Sequence, residues 1–189
     1  MNVYDFDKTI YDGDSTMHFY LFCLKRHPAI FPLMFPLVKG AVKYYVLNRG
    51  TKTMMKEKMY RFLRKIDSER DVPDFWKTHK KNIKRFYLEQ HRDDDLVISA
   101  SPYFLLRPIC DELGIKNLIA SRVDVKTGLY TGENCHGDEK VRLFKEKYGG
   151  EIEEFYSDSH NDDPLAKMAN KAYMVKGEKI SEWVFRKAK

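Results

Sequence analysis

From Leu96 to Val175, short apolar runs alternate with amphipathic stretches, and this constrains the fold of the 189-residue chain more than any other feature. Leu96-Val97-Ile98, Leu118-Ile119-Ala120, Ile152 to Tyr156 and Ala172-Tyr173-Met174-Val175 read as buried strands. Tyr103 to Leu113, Lys140 to Tyr148 and Asp163 to Ala169 read as helices, the first ending at Gly114 and the second stopped by Gly149-Gly150. Arg122 to Val125 and Leu129 to Gly132, joined by Lys126-Thr127-Gly128, read as a β-hairpin. Strands alternating with helices imply an α/β fold with a parallel sheet and right-handed crossovers.

A further buried strand is expected over residues 2–6, and about 80 helical residues separate it from the Leu96 run. Residues 16–26 are amphipathic, with Asp14 or Ser15 as the N-cap. An apolar run follows from Pro28 to Val38, where Pro28, Pro32 and Pro36 would line one face of a kinked helix. Lys39, Gly40 and Lys43 break it before Tyr44 to Leu47, and Asn48-Arg49-Gly50 is a stop signal. Residues 51–65 are helical, with Met54, Met55, Met59, Phe62 and Leu63 as the apolar set. Pro73 is expected to open a long helix running to about His91.

The first apolar run leads into Asp5-Phe6-Asp7-Lys8-Thr9. If the strand ends there, both acids lie in the loop at its C-terminal edge, where open α/β sheets place their sites. One carboxylate can then attack an electrophile while the other moves a proton. Crowded acids also call for a cation, and hard oxygen ligands favour Mg²⁺. The alternative for this motif alone is a solvated acidic turn.

Three further segments change that balance: Leu96 to Ser101, an apolar strand ending in Ser; Lys140 within Gly137-Asp138-Glu139-Lys140; and Phe155-Tyr156-Ser157-Asp158-Ser159-His160-Asn161-Asp162. Together with the first motif, and in this order, they resemble the haloacid dehalogenase-like superfamily of phosphohydrolases, in its phosphoserine phosphatase-like subfamily IB. The resemblance implies a Rossmann-like parallel-sheet core from residues 1–14 and 93–189, with residues 15–92 inserted as an all-helical type-1 cap. It implies Asp5 as nucleophile, Asp7 as general acid and base, Ser99 as a phosphoryl contact and Lys140 as the cation on phosphate and nucleophile. Thr9, which either contacts phosphate or fixes the loop, and Asp14 join Ser99 as substrate contacts. Asp5, Asp7 (through its carbonyl), Asp158 and Asp162 form the expected metal set, with Asp162 orienting either metal waters or Lys140. Asp14 and one of Lys56, Lys58 or Arg61 would read the amine and carboxylate of a phosphoserine-like substrate. The Asp two residues after the nucleophile favours phosphoryl transfer over dehalogenation. Ala100, Ser157 and Ser159 stand where Gly is frequent in relatives, and Lys8 where a small residue is usual, which places the chain off the phosphoserine branch.

Charge is distributed unevenly. Residues 15–92 carry 18 Lys/Arg against 6 Asp/Glu, whereas the remainder carries 16 against 22. A basic insertion in an acidic chain attracts anionic partners, or simply gives solvated helix faces. Three readings follow. The first is a Mg²⁺-dependent phosphatase for a small phosphorylated metabolite. The second is a lipid-phosphate phosphatase at an anionic membrane surface: Arg26-His27-Pro28, the Pro-interrupted run and the Tyr156 to Leu165 segment look similar to bacterial phosphatidylglycerophosphate phosphatases of the same superfamily. Exposure of residues 28–47 would favour it, and burial against residues 51–65 the first. The third, a nucleic-acid-binding or scaffold protein with a vestigial site, is disfavoured because every catalytic position is intact. The three scattered cysteines and six histidines argue against a disulfide framework or a zinc site. No basic and apolar leader precedes the first strand, so a cytoplasmic protein is expected, with the inner face of the membrane as the alternative location.

Overall fold

The apolar runs pair side by side and in parallel, as strands buried on both faces do. A computed structural model describes residues 1–34 and 52–186. The strands are β1 (Val3–Tyr4), β2 (Leu96–Pro102), β3 (Asn117–Ser121), β4 (Ile152–Ser157), β5 (Ala169–Lys176) and β6 (Lys179–Glu182). They form one sheet in the order β3-β2-β1-β4-β5-β6. Every neighbouring pair is parallel except β5 with β6. Chain order runs outward from β1 to β3, then returns to the other side of β1 at β4. That reversal leaves a crevice at the carboxyl ends of β1, β2 and β4.

The helices among the described residues are α1 (Ser15–Arg26), α2 (Lys52–Tyr60), α3 (Ser68–His79), α4 (Arg85–Gln90), α5 (Tyr103–Glu112), α6 (Asp138–Lys147) and α7 (Asp163–Ala166). Val3, Leu96, Ile98, Phe144, Phe155 and Leu165 build the apolar layer under α6 and α7. On the opposite face, Tyr4, Phe6, Val97, Leu105 and Ile109 share one continuous cluster with Phe19, Phe62, Phe75 and Trp76 from the helical insertion. Trp76 Nε1 donates to the Leu105 carbonyl at 2.7 Å, joining α3 to α5. The insertion is therefore cemented to the sheet along α5, while its α1 and α2 reach over the crevice.

Several elements differ from the sequence reading. Pro73 lies inside α3, which begins instead at its Asp67 N-cap, where the carboxylate accepts from Glu69 and Arg70 N–H. A capped first turn outweighs the proline signal, and the helical stretch breaks before α4 at Ile83 and Lys84, which are extended. The expected hairpin shrinks to a bridge between Val123 and Tyr130. β6 has no apolar run, because it is an edge strand exposed along its length. Pro28–Leu33 is a 3₁₀ helix rather than a kinked α-helix, with Pro28 in its first turn, where no N–H is needed. Its Ile30 is buried and the turn packs against residues 61–65, whereas Phe31 is 56% exposed. The rest of that run, from residue 35 through the Asn48-Arg49-Gly50 stop, lies outside the described residues, as do the Met54 and Met55 side chains. Among the described residues no helix is long and apolar enough to cross a membrane.

Candidate active site

β1 makes its last sheet bond at Asp5, whose N–H donates to the Tyr156 carbonyl at 2.9 Å. The chain then turns sharply: the Phe6 carbonyl accepts from the N–H groups of Thr9, Ile10 and Tyr11. The Phe6 ring is fully buried against Tyr11 and Trp76, which anchors the turn. Lys8 takes φ +59°, a left-handed conformation that disfavours any residue with a Cβ. Buried Lys84 holds it there, its Nζ donating to the carbonyls of Lys8 at 2.6 Å and Gly177 at 2.7 Å.

Asp5 is 8% exposed and faces Lys140 from the first turn of α6. Lys140 Nζ lies 2.8 Å from Asp5 Oδ1 and 2.9 Å from Asp162 Oδ2. Ser157 Oγ donates to the same Asp162 oxygen at 2.7 Å. Burial first, and the Asp162 charge against the pull of Lys140, push the Asp5 carboxyl up to about 7. For Lys140, burial disfavours the charged ammonium, but Asp5 and Asp162 more than reverse this and hold its proton more firmly than usual.

Asp7 points toward the start of α1. Its Oδ1 accepts from the Ser15 N–H at 2.7 Å and its Oδ2 from the Ser101 hydroxyl. Asp14 caps the same helix, accepting from Met17 N–H at 2.9 Å. Burial and then the Asp14 charge raise the Asp7 carboxyl, against the hydrogen bonds of Ser101 and Ser15. Ser99 is buried on β2 and its Oγ accepts from the Ser101 N–H at 3.1 Å, so its own hydrogen can be donated to a ligand oxygen. Asp158 follows β4, and burial raises its carboxyl although Lys8 opposes the shift.

These groups line one cleft of about 520 Å³ at the crevice of the sheet. Of the expected residues, Asp5, Asp7, Asp14, Ser99, Lys140, Asp158 and Asp162 are all in its lining. Thr9 is not: it is fully buried beneath the loop, with no hydrogen-bond partner for its hydroxyl among the described residues. Among the described residues no three His, Cys, Asp or Glu side chains are placed to hold a metal, and the expected set does not require it, since Asp7 enters that set through its carbonyl and Asp162 through metal waters or Lys140. Asp162 is engaged by Lys140 and Ser157, and the Asp7 carboxylate by Ser15 and Ser101. Of Lys56, Lys58 and Arg61, Lys56 lines the cleft, its Nζ donating to the Ala100 carbonyl at 3.1 Å and to Asn134 Oδ1 at 3.5 Å. Ser101, Ser157 and Lys84 were not expected. Ser101 carries one legible signal, since i and i+2 share a face of a strand; the other two carry none.

A buried carboxylate against a lysine, with a second carboxylate two residues on, is equipped for displacement at an electrophile with a proton donor beside it. Residues 3–167 match the haloacid dehalogenase-like hydrolase family. The chain belongs to that family. A histidinol-phosphatase of Neisseria meningitidis serogroup C (strain 8013) is 29% identical over 139 residues, covering 64% of this chain and 59% of that protein. The chain thus spans less than two thirds of that curated relative. A Bordetella pertussis Tohama I protein of unknown function has a similar solved structure, with TM-score 0.73, 20% identity, and coverage of 91% of this chain and 87% of that one. A solved phospho-aspartyl intermediate analogue of phosphoserine phosphatase aligns with TM-score 0.55 at 19% identity, covering 90% and 83%. Both share the fold of this chain.

Proposed function

We propose that this haloacid dehalogenase-like hydrolase is a phosphomonoester phosphatase working through an aspartyl-phosphate on Asp5. The observation that carries the reading is the buried Lys140, bonded to Asp5 on one side and Asp162 on the other, in the cleft that Asp7 and Ser99 also line. Lys140 holds Asp5 Oδ1, so Oδ2 attacks phosphorus. The ester P–O bond breaks, and the leaving oxygen takes the proton of Asp7. Water then attacks the same phosphorus and gives its proton to Asp7. The bond to Asp5 breaks and phosphate leaves. Ser99 and Lys140 bind the phosphoryl oxygens where negative charge develops.

The donor set fits Mg²⁺. Five Asp and three Lys line the cleft, a surplus of acid before any phosphate dianion enters. The Asp5 and Asp158 carboxylates and the Asp7 carbonyl are the hard oxygens that would hold the ion, with water completing its shell. When bound, it supplies charge neutralisation between phosphate and nucleophile. In the same reading, residues 15–92 act as the cap, and Asp14, Lys56 and Met17 sit where the rest of a substrate would lie.

The substrate is a small phosphorylated metabolite. A lipid phosphate is the second reading, favoured by Met17 at the cleft, Leu21 one turn further along α1, and Phe31, which are 42%, 44% and 56% exposed. The test is phosphate release with Mg²⁺ from histidinol phosphate, phosphoserine, sugar phosphates, and micellar lysophosphatidate and phosphatidylglycerophosphate. Turnover that stops in EDTA, returns with Mg²⁺ and is absent in Asp5→Asn is expected. Turnover that survives Asp5→Asn would sink the mechanism, and preference for the micellar substrates would select the second reading.

A further inference from the structure

Asp7 must hold a proton at one moment and release it at the next, so something has to keep its carboxyl aimed in both states. The Ser15 amide can only donate, which makes Asp7 Oδ1 an acceptor in either state. Asp7 Oδ2 accepts from the Ser101 hydroxyl, so each oxygen of the carboxyl is held by one donor. Ser101 is 3% exposed, so water does not compete for it. Its hydroxyl is also 2.8 Å from Thr16 Oγ1 and 3.4 Å from Ser15 Oγ, both on α1. Its N–H is committed to Ser99 Oγ, which ties the position of residue 101 to the phosphoryl contact. The register of β2 against β3 shifts between Ser99 and Pro102, and such irregularities re-aim side chains.

Resting on the phosphatase reading above, we propose that Ser101 is a positioning residue for Asp7, braced by Thr16 from the first turn of α1. A hydroxyl both donates and accepts. It donates to Oδ2 and can accept from Thr16 Oγ1, so one hydroxyl ties the Asp7 carboxyl to α1 and leaves the other lone pair of Oδ2 free toward the cleft. The carboxyl stays aimed through both half-reactions, and its aim depends on the seating of α1 over the sheet. A methyl at position 101 makes neither bond.

The experiment compares kcat/KM of the full chain with Mg²⁺ on an alkyl phosphomonoester and on p-nitrophenyl phosphate. The alkoxide needs a proton from Asp7 to leave, whereas nitrophenolate leaves without one. Ser101→Ala is expected to lose about 10- to 100-fold on the alkyl ester, the scale of a misaimed general acid, and only about 3-fold or less on the aryl ester. Thr16→Val should show the same pattern, more weakly, and serves if Ser101→Ala folds poorly. Ser101→Thr, which keeps the hydroxyl, should recover most of the alkyl activity. Equal losses on both esters, or no loss on either, would overturn the assignment and leave the phosphatase standing. An inactive wild type on both esters would overturn the phosphatase reading itself and the assignment with it.

Discussion

Replacing Lys140 by methionine removes a charge that two carboxylates share while keeping most of the side chain's volume. Lys140 is 3% exposed, with Asp5 at 2.8 Å and Asp162 at 2.9 Å, so solvent cannot take its place. Removing one partner of a buried pair costs about 3–5 kcal/mol. That cost should depend on pH, and the sign follows from Asp5. Burial, with Asp162 adding and Lys140 opposing, raises the Asp5 carboxyl from 3.8 to about 7. A carboxyl raised on folding binds its proton more tightly in the folded chain, so its ionisation drains stability as pH rises from about 4 through 7. At pH 5 Asp5 is neutral in both proteins, and Lys140→Met forfeits mainly the pair with Asp162, about 3 kcal/mol. At pH 8 Asp5 is ionised in the wild type and has lost its cation in the variant, so the cost climbs to about 4–5 kcal/mol. Urea unfolding in EDTA, followed by the fluorescence of Trp76 and Trp183, measures both values. A difference that is equal at the two pH values, or below about 1 kcal/mol at pH 8, would refute the view that Lys140 compensates two buried acids.

Two other substitutions probe the contacts that seat the insertion. Gly128 has φ +72°, and an added Cβ would lie 2.4 Å from the Tyr60 carbonyl oxygen, a backbone atom that cannot swing aside. Gly128→Ala should therefore cost about 2 kcal/mol, lowering the melting temperature by about 4–8 °C, and an unchanged melting curve would show that this turn does not bear on α2. Asp14→Ala removes the α1 N-cap and should cost about 1 kcal/mol in urea unfolding. If Asp14 also reads a substrate amine, KM should rise for phosphoserine and histidinol phosphate but not for sugar phosphates; a uniform rise would assign Asp14 to the helix alone.

The strands that carry the site were legible because they are central. β2 and β4 are largely buried, so burial selects apolar runs and the chemistry follows where the runs stop, at Ser99 and Asp158. β6 was not legible because an exposed edge strand needs no apolar pattern. The extent of the helices was legible only in part, since the Asp67 cap and the interior Pro73 compete and only the folded chain shows which wins. Lys84 was not legible because its partner Lys8 is 76 residues away, and Ser157, though inside the fourth motif, shows its bond to Asp162 only in the folded loop.

Local sequence thus marked the central strands and the side chains capable of chemistry that stand beside them: an acid pair after β1, a serine on β2, a lysine opening α6 and an acidic loop after β4. It did not determine who binds whom. Asp5 and Lys140 are 135 residues apart, Asp7 and Ser101 are 94 apart, and their meeting depends on β1 lying between β2 and β4 in the sheet. That placement gave Asp162 to Lys140 and gave Asp7 to Ser15 and Ser101. A carboxylate in a buried cleft goes to the nearest strong donor, and only the tertiary structure decides which donor is near.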